Sequence, residues 1–138
     1  MIRKTVAEDF VRIDLQDAQY LDKKTLNNWD ATSVLGNPCW TLEEDGIVYF
    51  IGGIHPVHYR RYIMWAFLSK YAGKKLLAIT REVERVILTY SQVRMEVLVD
   101  SYFNNGHKWV KMLGFQHEGT LRAYTQDGKD MDMYARIL

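Results

Sequence analysis

The C-terminal stretch reads KMLGFQHEGTLRAYTQDGKDMDMYARIL, residues 111–138. Lys111-Met112-Leu113 completes a helix, and Gly114 stops it as the left-handed residue just past the end. Phe115 to Tyr124 and Met131 to Ile137 then have the composition of strands. Between them lies Gln126-Asp127-Gly128-Lys129, where Asp-Gly signals a hairpin turn. The chain therefore closes on a helix followed by two paired strands.

Upstream, Asn104-Asn105-Gly106 opens that short helix, and Arg94 to Val99 precedes it as a strand. Leu76, Ile79, Val83 and Val86 recur at three- and four-residue steps, the apolar stripe of an amphipathic helix. Ser69 to Lys75 is a small, basic turn. Tyr62 to Leu68 is nearly continuously apolar, as in a central strand. His55 to Arg60 reads as a loop. Ile47 to Ile54 and Cys39 to Leu42 read as strands around the turn Glu43-Glu44-Asp45-Gly46, where Gly46 takes positive φ. Gly52-Gly53 marks a bulge or a close backbone approach.

At the N-terminus, Ile2 to Val6 forms a short strand. Ala7-Glu8-Asp9 places acidic groups at the start of a helix, with Phe10, Ile13 and Ala18 on its apolar face. Asp22 to Trp29 is a weaker second helix. The fold class is α/β (α+β): a mixed, mostly antiparallel sheet of six to seven strands with about four helices, in the order β-α-α-β-β-β-α-β-α-β-β.

The 138 residues suit one domain, 1–138. Hydrophobic residues make up 48% and charged residues 25%, which excludes disorder and coiled coil. No apolar run is long enough for a membrane span, and the start lacks the pattern of a signal peptide. Cys39 is the single cysteine, so neither a disulfide framework nor a cysteine zinc cluster is expected. A cytoplasmic location follows from these features. Residues 1–50 hold five basic and nine acidic residues, net −4. Residues 51–85 hold seven against two, net +5, and residues 86–138 balance at six each. A basic middle suits an anionic ligand, and equally a solvated helix face. No basic, aromatic stripe points to specific nucleic-acid binding.

The C-terminal stretch resembles the GNAT (GCN5-related N-acetyltransferase) superfamily. Lys111-Met112-Leu113-Gly114-Phe115, Glu118-Gly119-Thr120-Leu121-Arg122, Asp127-Gly128-Lys129-Asp130 and Met133-Tyr134-Ala135 are similar to the motif series of its ribosomal-protein alanine and serine acetyltransferase branch. Lys70-Tyr71-Ala72-Gly73-Lys74-Lys75 resembles the family's phosphate loop, with Lys75 in place of a small residue. A narrower resemblance is to the small GNAT-like internal-virion or assembly proteins of short-tailed phages. Those share the length, the double glycine, a Lys-rich loop and the Asp-Gly hairpin.

The resemblance implies transfer of an acetyl group from acetyl-CoA to a primary amine, on a protein N-terminus or a small molecule. It implies that Lys70, Gly73, Lys74 and Lys75 hold the diphosphate. The pantetheine arm would lie along Ala66, Phe67 and Leu68, with Asn104 or Asn105 also touching it. The family position for that asparagine falls on Phe103, and the position of its acidic tyrosine on Val110. Glu96 and Asp100, with His55 and His58, are candidate bases, and Tyr102 lies near the acid position. Each is also readable as an ordinary structural or surface residue. His55-Pro56-Val57-His58 lacks the spacing of a zinc helix, so no metal is expected. The phage resemblance implies instead an assembly role among virion components, with little or no turnover. Asp17 to Trp40 carries no motif that names the acceptor. Tyr20, Trp29 and Trp40 are either core residues or the contact of a homodimer.

Overall fold

The computed structural model describes residues 2–16 and 32–138. The strands are β1 (Ile2–Lys4), β2 (Cys39–Glu44), β3 (Ile47–His58), β4 (Arg61–Leu68), β5 (Arg94–Asp100), β6 (Gln116–Leu121) and β7 (Met131–Ile137). The helices are α1 (Asp9–Arg12), α2 (Thr32–Leu35), α3 (Leu76–Ile87) and α4 (Asn104–Met112), with a 3-10 turn at Ala72–Lys75 leading into α3. One seven-stranded sheet results, in the order β1-β2-β3-β4-β5-β7-β6. β4 is its middle strand, as its apolar run implies. β4 and β5 run parallel; β1–β2, β2–β3, β5–β7 and β6–β7 are antiparallel. No helix among the described residues is long and apolar enough to cross a membrane. The expected helix Asp22–Trp29, and Ala18, Tyr20 and Trp29, lie outside the described residues.

The chain divides into two compact units. The first comprises residues 1–55 and 65–83. Its core joins Phe10, Ile13, Leu15, Val48 and Ile51, with Trp65 and Phe67 packed against them. Asp45 and Gly46 both take positive φ (52° and 78°), the geometry of a tight hairpin turn between β2 and β3. The glycine pair marks close approach. A Cβ on Gly53 would stand 2.5 Å from the Trp65 ring, and one on Gly52 would stand 2.3 Å from Phe50. The irregularity in register falls elsewhere, between Leu42 and Glu43.

Helix α1 is shorter than its apolar spacing predicts. It stops at Arg12 because Ile13 turns to extended backbone (ψ 131°). The next residues then pair with the end of β4. The Gln16 amide donates to the Leu68 carbonyl at 3.1 Å, and the Lys70 amide to the Asp14 carbonyl at 2.8 Å. Hydrogen bonds to another segment thus replace those of a continuing helix. Asp9, the first residue of α1, is fully buried. It accepts from Arg3 through both carboxylate oxygens at 2.8 Å, from Thr41 at 2.9 Å and from the Val6 amide at 3.0 Å.

The second unit comprises residues 56–64 and 84–138. β5 pairs with β7 along its whole length, from Arg94↔Ile137 to Asp100↔Met131. It pairs with β4 over four rungs, Arg61↔Arg94 to Met64↔Val97. The expected loop at His55–Arg60 is largely strand: β3 continues to His58, and the turn is Tyr59-Arg60. Pro56 is exposed there, where a missing N–H costs little. Gly114 follows α4 with φ 80°, and Gly128 turns the last loop with φ 78°. A Cβ on Gly106 would meet Phe103 at 2.7 Å and Val99 at 2.9 Å, so a glycine lets α4 sit down on β5.

Candidate functional site

In the first unit, β4 runs past the last rung it shares with β5, through Trp65–Leu68, into the 3-10 turn and α3. A strand feeding a helix through a glycine-containing turn places the helix's first amides at one point. Such a helix start carries the positive end of the helix dipole, although here the Ala72 amide donates to the Ser69 carbonyl at 2.9 Å and the Leu76 amide to the Gly73 carbonyl. Gly73 lies in this turn, and a Cβ there would have nothing within 4 Å. Lys74 is exposed beside it.

The flanking lysines are already engaged. Lys70 pairs with Asp14 at 3.0 Å and lies 5.2 Å from the Tyr71 ring centre. Lys75 pairs with Glu44 and lies over the Tyr49 ring. Their carboxylate partners raise the pKa of both ammoniums. Of the strand residues expected along a pantetheine arm, Leu68 has its carbonyl accepting from the Gln16 amide at 3.1 Å. Ala66 and Phe67 are half-buried in the same strand.

In the second unit, Glu96 is 3% exposed and locked. Arg61 donates to both its oxygens at 2.9 Å, and Arg94 donates at 2.6 Å. Arg94 also reaches Glu118. The Arg61 bonds, aided by Arg94 and opposed by burial, hold the Glu96 carboxyl below the usual carboxylate value. A general base works best with a pKa near the working pH. The environment of Glu96, clamped by two guanidiniums, works against that role. Asp100 accepts from the Tyr102 amide at 2.9 Å, with Lys129 3.6 Å away, which makes it the acceptor of a turn. Tyr102 is 85% exposed.

Asn104 and Asn105 lie in the first turn of α4, and Phe103 holds the capping position without a side-chain cap. The asparagines thus open the helix, as the sequence predicts, from inside its first turn. Val110 is buried in the core of this unit. His55 and His58 are exposed; an Asn37 amide lies 3.3 Å from His55, and the Arg60 amide donates to His58 at 3.1 Å.

Sequence reasoning missed a polar groove of about 630 Å³ in the second unit, lined by Asn104, His107, Lys108, Lys111, His117, Asp132 and Tyr134. The spacing 104, 107/108, 111 puts four of these on one face of α4. The rest come from β6 and β7, where His117 lies opposite Tyr134 and Thr120 opposite Asp132. That cross-strand register cannot be read from helix periodicity.

The groove's hydrogen bonds fix its tautomers. His107 Nε2 lies 3.0 Å from the Ser101 carbonyl, which can only accept, so Nε2 carries the hydrogen. In the neutral ring, Nδ1 then accepts from the Tyr134 hydroxyl at 2.7 Å. Burial pushes the Tyr134 phenol up. Asp132 is held below the usual carboxylate value, chiefly by the Thr120 hydroxyl and then by His117, against the cost of burial.

By sequence, no family model and no curated protein matches the chain. Solved structures match over nearly its whole length. One is a ribosomal-protein-alanine N-acetyltransferase from Brucella melitensis, with TM-score 0.66 and 15% identity, covering 100% of this chain and 99% of that one. Another is a GNAT superfamily phosphinothricin acetyltransferase from Sinorhizobium meliloti in complex with AcCoA, with TM-score 0.68 and 17% identity, covering 100% and 88%. The chain has the GNAT fold. A third structure of that fold, an N-acetyltransferase from Staphylococcus aureus Mu50, has TM-score 0.63 and 18% identity, covering 99% and 97%. In this GNAT fold the parallel β4–β5 pair is the centre of the sheet, and the turn after β4 is the element the sequence motif singled out.

Proposed function

We infer that the chain is an acetyl-CoA-dependent N-acetyltransferase acting on a primary amine. The observation that carries this reading is the GNAT fold, with β4 continuing past its ladder into a glycine-containing turn at the start of α3. Amides of Gly73 and its neighbours in the turn, not that of Ala72, which Ser69 holds, would face the diphosphate, since a helix start favours anions. Lys74 would add charge, and Lys70 and Lys75 would do so by exchanging Asp14 and Glu44 for phosphate. Ala66 and Phe67 would flank the pantetheine arm, with Leu68 contributing less because Gln16 holds its carbonyl. A protein N-terminus or a small amine is the acceptor this reading entails. With Glu96 locked, Asp100 or an exposed histidine, His55 or His58, is the better recipient of the amine proton.

Thermal unfolding with and without CoA tests the reading. A ligand that binds only the folded chain stabilises it by about 2.7 kcal/mol at one hundred times its Kd. CoA should raise the melting temperature, and Gly73→Asp should abolish the rise by setting a carboxylate against phosphate. The open space around Gly73 lets that variant fold. An unchanged CoA response in Gly73→Asp would show that the turn is not the phosphate site.

A second reading, a GNAT-fold assembly protein without turnover, is favoured by one observation. Two of the three lysines of the turn motif, Lys70 and Lys75, are bound to carboxylates of the chain itself. The absence of any CoA response in the wild-type chain at millimolar ligand would select it.

A further inference from the structure

We propose that the groove between α4 and the β6–β7 hairpin binds a small phosphate monoester, independently of the acetyl-transfer reading. Its volume, about 630 Å³, falls in the range of small-molecule sites. Two ammoniums line it, Lys108 and Lys111, one helical turn apart. Among the described residues neither is ion-paired. The one carboxylate in the groove, Asp132, is already satisfied: the Thr120 hydroxyl donates to it, and His117 and His107 lie 3.3 and 3.6 Å away. The unspent charge in the groove is therefore positive.

The donor set also selects the shape of the anion. Planar carboxylates suit the fork of arginine, whereas an ammonium acts as a point charge that any phosphate oxygen can approach. The groove offers two lysines, the His117 ring and the Asn104 amide, but no guanidinium. His107 is held in one orientation by Ser101 and Tyr134, so the wall is built before a ligand arrives. Asp132 excludes neither lysine from a phosphate, and it limits the groove to ligands whose anionic end lies toward α4.

The test is a titration of the full chain with inorganic phosphate and with glycerol phosphate at low ionic strength, following the four histidine ring signals by NMR. His107 and His117 should shift saturably, His55 and His58 should not, and glycerol phosphate should bind more tightly than phosphate. Lys108→Gln combined with Lys111→Gln should weaken binding at least tenfold. Lys4→Gln with Arg81→Gln, an equal loss of charge outside the groove, should weaken it less than threefold. Equal shifts at all four histidines, equal weakening by the two pairs, or unaltered binding in the Lys108/Lys111 pair would each overturn the proposal.

Discussion

At Glu96, two guanidiniums share one carboxylate, and that sharing separates what a glutamate on a strand can do from what this one does. A solvated base could lose its charge with little effect on stability. Glu96→Gln should cost about 1–3 kcal/mol, because it removes charge-assisted hydrogen bonds from a buried position while Arg61 and Arg94 recover part of their solvation. A urea unfolding midpoint unchanged from wild type would return Glu96 to the candidate bases. The same logic separates residues that local chemistry identifies from residues that need a neighbour. Gly46, Gly114 and Gly128 were legible one at a time, because positive φ is a property of the single residue. Asp9, buried with Arg3 and Thr41, was not: its acidic position near a helix start looks the same in sequence whether solvent or a guanidinium faces it.

Among the elements, α3 is the most plainly written and α1 the least. Ile79 and Val83 are buried as their spacing predicts, and Ile87 extends the stripe. Ile79→Asp should unfold the domain, since it forces a charge into a site that is 1% exposed. Leu77→Asp on the opposite face, 64% exposed, should change stability by less than about 0.5 kcal/mol. Circular dichroism melts of the two variants check both; a cooperative, wild-type-like melt for Ile79→Asp would contradict the packing. Helix α1 ends early because the segment after it finds backbone partners at Leu68 and Lys70. No local propensity encodes such a partner. The extension of β3 through Pro56 has a related cause: strand residues that face solvent tolerate proline.

Over the whole molecule, the depressed carboxylates and raised phenols set how stability varies with pH. Arg61 lowers Glu96, Thr120 lowers Asp132, and Arg12 with Arg3 lowers Glu43. At acidic pH the unfolded chain binds more protons at these groups than the folded chain, so their contribution is present above the unfolded values of roughly 4. It fades as pH falls through the lower folded values. Burial raises Tyr90 and Tyr134, so their contribution is present below about pH 10 and is lost as pH rises through the higher folded values. Urea midpoints against pH should therefore be level from about pH 5 to 9 and fall on both sides; a midpoint that rises below pH 4 would refute the ion-pair assignments. The sequence alone determined the order of the strands, the helices α3 and α4, the glycine turns and the C-terminal hairpin, because periodicity and glycine conformation act over a few residues. Only the tertiary structure decided that Lys70 and Lys75 are engaged, that Glu96 is locked, and that a groove forms from α4, β6 and β7. Each of those depends on charges and registers brought together from distant parts of the chain, and a charge's chemistry is set by what folding places within a few ångströms of it.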